Sequence, residues 1–146
     1  LHIKRAGPSD ADRLHPMIAS FMAEEGIALP PAQIAENLTV MMAHPAALLW
    51  VAEDDEGTPI GFMTATSTAG LEFGRSAELE DLYILPAQRG RGYARQMVAA
   101  ALDWAAASDI RQMILVVTPE GRNQGLAVDV DDAVLIRVSV FSDQCA

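Results

Sequence analysis

A mixed β-sheet with helices on its faces, an α/β architecture in one domain spanning residues 1–146, is the fold class this sequence predicts. Two observations carry the expectation. A pair of amphipathic helical segments is followed by apolar runs that read as a hairpin, and a strand, loop, helix and strand then follow in series. Hairpins make antiparallel neighbours, whereas a strand–helix–strand crossover makes a parallel pair, so one sheet must hold both. The length of 146 residues and an apolar fraction of 51% suffice for one core.

The elements follow in order. Residues 2–6 fit a short strand. Pro8, Ser9 and Asp10 read as a helix start, with Ser9 as N-cap and Asp12 as its capping-box partner. Leu14, Met17, Ile18, Phe21 and Met22 recur at helical spacing, and Gly26 ends the run. Pro30 and Pro31 open a second helix with Ile34, Leu38, Met41 and Met42 as its buried stripe, stopped by His44 and Pro45. Residues 47–53 and 59–66 are strands around a turn at 54–57, and 69–75 reads as a loop or a bent strand end. A strand over 77–85 stops at Pro86, a helix spans 92–107, and a strand spans 112–118. Beyond Pro119, residues 123–132 read as a weak helix and 133–141 as a strand.

The formal charge of −10 argues against nucleic-acid binding, which needs basic patches against phosphates. No apolar run approaches the roughly 20 residues of a membrane span. The single cysteine, Cys145, excludes a disulfide framework within the chain and fits a reducing, cytoplasmic setting. His2, His15 and His44 are scattered without metal-ligand spacing, so no metal is expected. Of the ten basic residues, Arg89, Arg91 and Arg95 fall within seven positions, a local concentration that suits an anion.

Those arginines lie in a strand–loop–helix passage: Leu79, Glu80, Asp81, Leu82, Tyr83, Ile84, Leu85, Pro86, then Arg89, Gly90, Arg91, Gly92, Tyr93 and Ala94. Glycines allow the main chain to approach a ligand closely, and the first amides of a helix lack intrahelical acceptors at its positive dipole end. A pyrophosphate suits that place. No Gly-Lys-Ser/Thr follows, and the spacing departs from the dinucleotide fingerprint.

The run Arg89, Gly90, Arg91, Gly92, Tyr93, Ala94 resembles the Arg/Gln-x-x-Gly-x-Gly/Ala signature of the GCN5-related N-acetyltransferase (GNAT) superfamily, and residues 82–86 resemble that family's fourth strand. The element order matches from His2 to about Thr118. The resemblance implies a central mixed sheet of six or seven strands with helices on both faces, and an atypical C-terminal part. It implies acetyl-CoA as the acyl donor. The amides of Arg89, Gly90, Arg91, Gly92, Tyr93, Ala94 and Arg95 would hold the pyrophosphate. Main-chain groups of Leu82, Tyr83 and Ile84 would pair with the pantetheine arm, with residues 113–117 as the opposite wall and Asn123 as a further contact.

N-acetylation needs a neutral amine, and removing the proton of an alkylamine at pH 7 costs about 4–5 kcal/mol. A carboxylate can take that proton. Glu80 and Asp81 are adjacent on a strand, so their side chains are expected on opposite faces, with Glu80 favoured as the base and Asp81 second. Glu72 and Glu78 could extend an acidic pocket, and the family places the first two helices, with Phe21, Met22, Glu24 and Glu25, on the acceptor side. The expected partner is a small cationic amine, acetylated by direct transfer in a ternary complex. Many members carry, after the fifth strand, a tyrosine that protonates the leaving sulfur; here Asn123 is followed by no tyrosine, which keeps open a non-catalytic acyl-CoA-binding module. The apolar terminal strand raises the further option of a homodimer completed across the subunit boundary.

Overall fold

The computed structural model describes residues 1–117 and 135–140, with side chains through Leu115. Six strands form one sheet in the order β1-β2-β3-β4-β5-β6: β1 (His2–Arg5), β2 (Ala47–Glu53), β3 (Pro59–Gly70), β4 (Gly74–Ile84), β5 (Gln112–Val117) and β6 (Leu135–Val140). The pairs from β1 to β4 are antiparallel, and β4–β5 and β5–β6 are parallel. The mixed sheet expected from hairpin plus crossover is present, with six strands among the described residues. Residues 123–132 lie outside the described residues. The terminal strand, which sequence left open to pairing across a subunit boundary, pairs with β5 of its own chain. Among the described residues no helix is long and apolar enough to cross a membrane.

Helices cover both faces. The helix α1 (Ala11–Glu24) and the helix α2 (Pro31–Ala43) bury Leu14, Met17, Ile18, Ile34 and Leu38 against Leu49, Val51, Phe62 and Tyr83. The helix α3 (Tyr93–Ala107) buries Met97, Val98, Ala101 and Ala105 against the other face, where Trp50, Met63, Leu79 and Ile84 lie. The unbroken apolar run of β2 therefore reflects a strand covered on both sides: Leu48 and Trp50 serve one core, Leu49 and Val51 the other. Trp104 joins this packing edge-on to Trp50, with ring centroids 5.5 Å apart and the Arg5 guanidinium 5.0 Å from the Trp50 ring.

Two local expectations are corrected. Residues 69–75 do not form a loop or a bent strand end: β3 runs to Gly70, β4 resumes at Gly74, and only three residues turn between them. Gly74 supplies the left-handed backbone (φ 69°) that a three-residue hairpin turn needs. At the first helix, Asp10 rather than Ser9 organises the start. A short 3-10 turn (Pro8–Asp10) precedes α1, and the Gly7 amide donates to Asp10 Oδ2 at 3.0 Å. That amide, against opposing burial and with Lys4 and Arg13 adding, holds the Asp10 carboxyl below the usual carboxylate range. Lys4 and Arg13 also reach Glu53 (3.2 and 2.9 Å), so one charged cluster ties β1, β2 and α1 together.

Gly61 on β3 faces Ile84 across the ladder, directly behind the turn into the candidate site. A Cβ there would lie 2.6 Å from Ile84 Cδ1 and 2.8 Å from the Tyr83 carbonyl oxygen. The side chain can yield; the backbone oxygen cannot without bending β4. Gly61→Ala is expected to destabilise the fold by about 1–3 kcal/mol, read as a lowered midpoint of urea unfolding; an unchanged midpoint would show that β4 adjusts freely there.

Candidate active site

The candidate site is built where β4 parts from β5. The β4–β5 ladder covers only four pairs, from Ser76↔Gln112 to Leu79↔Leu115. Beyond Leu79, β4 continues to Ile84 with ladder pairs only to β3 among the described residues, while Val116 and Val117 of β5 pair with β6. The two parallel strands thus part after Leu79, leaving one edge of residues 80–84 facing the gap. An extra residue marks the parting point. Thr64 pairs with Asp81 and Ala65 with Leu79, so Glu80 is the inserted residue of a β-bulge. Bulges bend a strand and increase its twist, and here the bend coincides with the last β4–β5 pair.

The bulge also overturns the expectation that Glu80 and Asp81 face opposite sides. Thr64 and Thr66, two residues apart on β3, share a face. Thr64 Oγ1 donates to Asp81 Oδ2 at 2.6 Å, and Thr66 Oγ1 donates to Glu80 Oε1 at 2.9 Å. Both carboxylates therefore stand on the α1/α2 face. Their environments differ: Asp81 is half-buried, and Glu80 is exposed. The Asp81 amide also donates to Thr64 Oγ1 at 3.1 Å, so this threonine fixes the aspartate from two directions.

Asp81 and Thr64 line a cavity of about 70 Å³ between the sheet and the two N-terminal helices. Its other walls are mainly apolar: Ile18, Phe21, Met22, Leu29, Ile34, Leu38, Met41, Leu49 and Phe62, with Asn37 the remaining polar residue. Of the residues expected on the acceptor side, Phe21 and Met22 are in this wall. Phe21 sits edge-on to Phe62 (5.4 Å) and to Tyr83 (5.6 Å). Glu78 is exposed and pairs with Thr66. Glu72 is exposed at the tip of the β3–β4 hairpin, beyond the roughly 24 Å of strand from Gly74 to Asp81 at about 3.4 Å per residue. Glu24 is committed elsewhere, to Arg89.

The turn after β4 is the candidate anion cradle. A 3-10 turn (Pro86–Gln88) follows Leu85, and Gly90 and Gly92 both adopt left-handed backbone (φ 77° and 78°). A Cβ at either glycine would meet nothing within 4 Å, so backbone conformation, not crowding, is what calls for glycine there. Gly92 caps α3, whose first bond runs from the Gln96 amide to the Gly92 carbonyl at 3.2 Å. The amides of Tyr93 and Ala94 precede that bond and have no acceptor within the helix. The Tyr93 and Ala94 side chains pack against the α3-side core, as does Leu82, and Arg91 is exposed. Arg95 is also exposed, on the first turn of α3.

Arg89 behaves differently from a free phosphate ligand. Its Nη2 donates to both Glu24 oxygens (3.1 and 2.7 Å), its Nε donates to the Ile84 carbonyl at 2.8 Å, and its guanidinium lies 5.3 Å from the Tyr83 ring centre. Its own amide donates to the Pro86 carbonyl at 3.3 Å. Arg89 thus braces the cradle against the end of α1. Burial, and then the negative charge of Glu24, push the Tyr83 phenol above its ordinary pKa, so it stays protonated at neutral pH. Asn123 lies outside the described residues. Sequence reasoning missed Thr64 and most of the cavity wall; the alternation Phe62, Thr64, Thr66 was visible, but its partner residues on β4 were not.

Comparison with known proteins agrees with this geometry. The profile of the Acetyltransferase (GNAT) family matches residues 14–128. No curated protein sequence gives a match. Among solved structures, the chain resembles a ribosomal-protein-alanine N-acetyltransferase from Brucella melitensis biovar Abortus 2308 at 22% identity and a TM-score of 0.73, over 94% of this chain and 99% of that one. It resembles an aminoglycoside N-acetyltransferase in complex with CoA at 20% identity and a TM-score of 0.72, over 99% and 95%. A predicted acetyltransferase with acetyl-CoA from Clostridium acetobutylicum matches at 20% identity and a TM-score of 0.69, over 90% and 92%. At such identities the structures speak for the fold, and the profile speaks for the family. Acetyltransferases of this family use acetyl-CoA, and the parted strands, paired left-handed glycines and exposed helix start of this chain fit that group. The protein belongs to the GNAT acetyltransferase family.

Proposed function

We propose that the protein is an N-acetyltransferase that moves the acetyl group of acetyl-CoA to a primary amine by direct attack in a ternary complex, with Asp81 as the base. The observation that carries this reading is the position of Asp81: a half-buried carboxylate at the bulge, between the α1/α2 cavity and the edge of β4 that faces the gap. Bound acetyl-CoA would supply a thioester whose carbonyl an amine can attack, with the C–S bond breaking and the coenzyme A thiolate leaving to take a proton from solvent. The chain's own residues do the rest. The amides at the start of α3, with the charge of Arg91 and Arg95 near them, hold the pyrophosphate. The open edge of Leu82, Tyr83 and Ile84 aligns the pantetheine arm. Asp81 first binds the ammonium form of the acceptor and then takes its proton, the step that otherwise costs about 4–5 kcal/mol at pH 7. Thr64 keeps that carboxylate oriented through its 2.6 Å bond.

The reading favours Asp81 over Glu80 because Asp81 lines the cavity, whereas Glu80 is exposed beside Thr66. A second reading, an acyl-CoA-binding module without catalysis, is favoured by the lack of any tyrosine after Asn123; the chain's two tyrosines are Tyr83 and Tyr93. Calorimetric titration with acetyl-CoA, followed by an amine panel monitored by free thiol, separates the two. Binding with amine-dependent thiol release is the expected result. Binding without release for any amine would leave the binding module, and no binding would remove both.

A further inference from the structure

We infer that the acceptor is a primary amine carried on a compact apolar group, a short aliphatic monoamine skeleton rather than a polycation. The inference rests on the transferase reading above and concerns the specificity of the same site. It stands on the composition and size of the cavity beside Asp81.

A polyamine or amino-sugar acceptor places further charges or hydroxyls within a few bonds of the reacting nitrogen. Those groups must remain hydrated or find partners, because an unpartnered polar or charged group in an apolar setting costs several kcal/mol. Beyond Asp81 and Thr64 the walls offer only the amide of Asn37, whose Oδ1 already accepts from Gln33 Nε2 at 2.9 Å. Phe21, Met22, Leu29, Met41, Leu49 and Phe62 surround the cavity, and Thr64 spends its hydroxyl proton on Asp81. The carboxylates that could have received a second cation are not in the wall. Glu24 is held by Arg89, Glu80 is paired with Thr66 at the surface, and Glu72 is at the far hairpin tip. One ammonium fits, at Asp81; a second one does not.

Volume bounds the skeleton. The cavity of about 70 Å³ is roughly half of the 150 Å³ that houses a benzene ring in an engineered apolar core. By that proportion it takes about three carbons, with a fourth reaching toward the opening. Two methionines, Met22 and Met41, are half-buried in the wall, so its size is adjustable by substitution without disturbing fully buried packing.

The test compares n-butylamine with 1,4-diaminobutane, which has the same chain and one more ammonium, at saturating acetyl-CoA and pH 8, by thiol release. The expected result is a kcat/KM at least tenfold higher for n-butylamine, and Met41→Trp should lower that value at least fivefold while methylamine, the smallest acceptor, loses clearly less. Acetyl-CoA affinity, measured in parallel, should be unchanged in Met41→Trp, which controls for folding. Diaminobutane turned over as fast as butylamine, or faster, overturns the specificity and leaves the transferase intact. Equal losses for butylamine and methylamine in Met41→Trp overturn the cavity as the binding place. Acetyl-CoA binding with no thiol release from any amine overturns the transferase reading, and the specificity with it.

Discussion

Gly92→Glu should abolish coenzyme A binding while leaving the protein folded. Two effects add. Gly92 sits at φ 78°, where an L-residue is strained by about 1–2 kcal/mol, and the strain falls on the residue that sets the first turn of α3. The new carboxylate then stands at the helix start, where a pyrophosphate must approach. At roughly 4 Å and an effective dielectric near 20, two like charges cost on the order of 4 kcal/mol, about a thousandfold in affinity. Because a Cβ at Gly92 meets nothing within 4 Å, no core contact is lost, and the thermal midpoint should move by only a few degrees. Gly92→Ala isolates the strain and should weaken binding by roughly tenfold. Calorimetry with CoA checks both; wild-type affinity in Gly92→Glu would mean that the pyrophosphate binds elsewhere.

The second large effect is expected at Asp81. Asp81→Asn keeps the shape and a hydrogen bond to Thr64 but removes the charge and the basic oxygen. Removing a positioned general base typically costs about 10²–10⁴-fold, and kcat/KM for amine acetylation at pH 7 should fall within that range. Affinity for acetyl-CoA should stay within about twofold, since the cradle is untouched. The deficit should shrink as pH rises toward the amine's own pKa near 10.4, where solvent has already done the work assigned to the carboxylate. Glu80→Gln is the internal comparison and should keep most of the wild-type rate. A large loss in Glu80→Gln with none in Asp81→Asn would transfer the base to Glu80.

The elements of this fold were legible because they rest on local chemistry. Pro30 and Pro31 fix a helix start and Pro86 a strand end; Met97, Val98, Ala101 and Ala105 recur at a helical period. The cradle was legible for the same reason, since the glycines, the proline and the helix start lie within a few residues. What could not be read was register. The ends of β3 and β4 around their shared turn were read too short because Thr68 and Ala69 are not strongly apolar, yet Thr68 finds Ser76 across the ladder at 2.9 Å. The facing of Glu80 and Asp81 was misread because strict alternation presumes an unbroken pleat, and a bulge is defined by the partner strand. The Arg89–Glu24 pair joins residues 65 positions apart, and nothing near either residue announces the other. Asp10 was passed over for Ser9 because its cation Lys4 comes from a separate strand and is shared with Glu53 on another.

The extra residue in β4 has a consequence for how this chain can vary over time. Glu80 contributes an exposed side chain, and its pairing with Thr66 is a surface bond, so many amino acids can stand there. Its peptide unit is another matter. Remove that one unit and β4 can run straight beside β5 past Leu79, closing the gap that the bend holds open. The resulting chain would keep its core residues and its sheet, and lose its place for a cofactor. Position 80 is therefore expected to act as a spacer, open to substitution and closed to deletion.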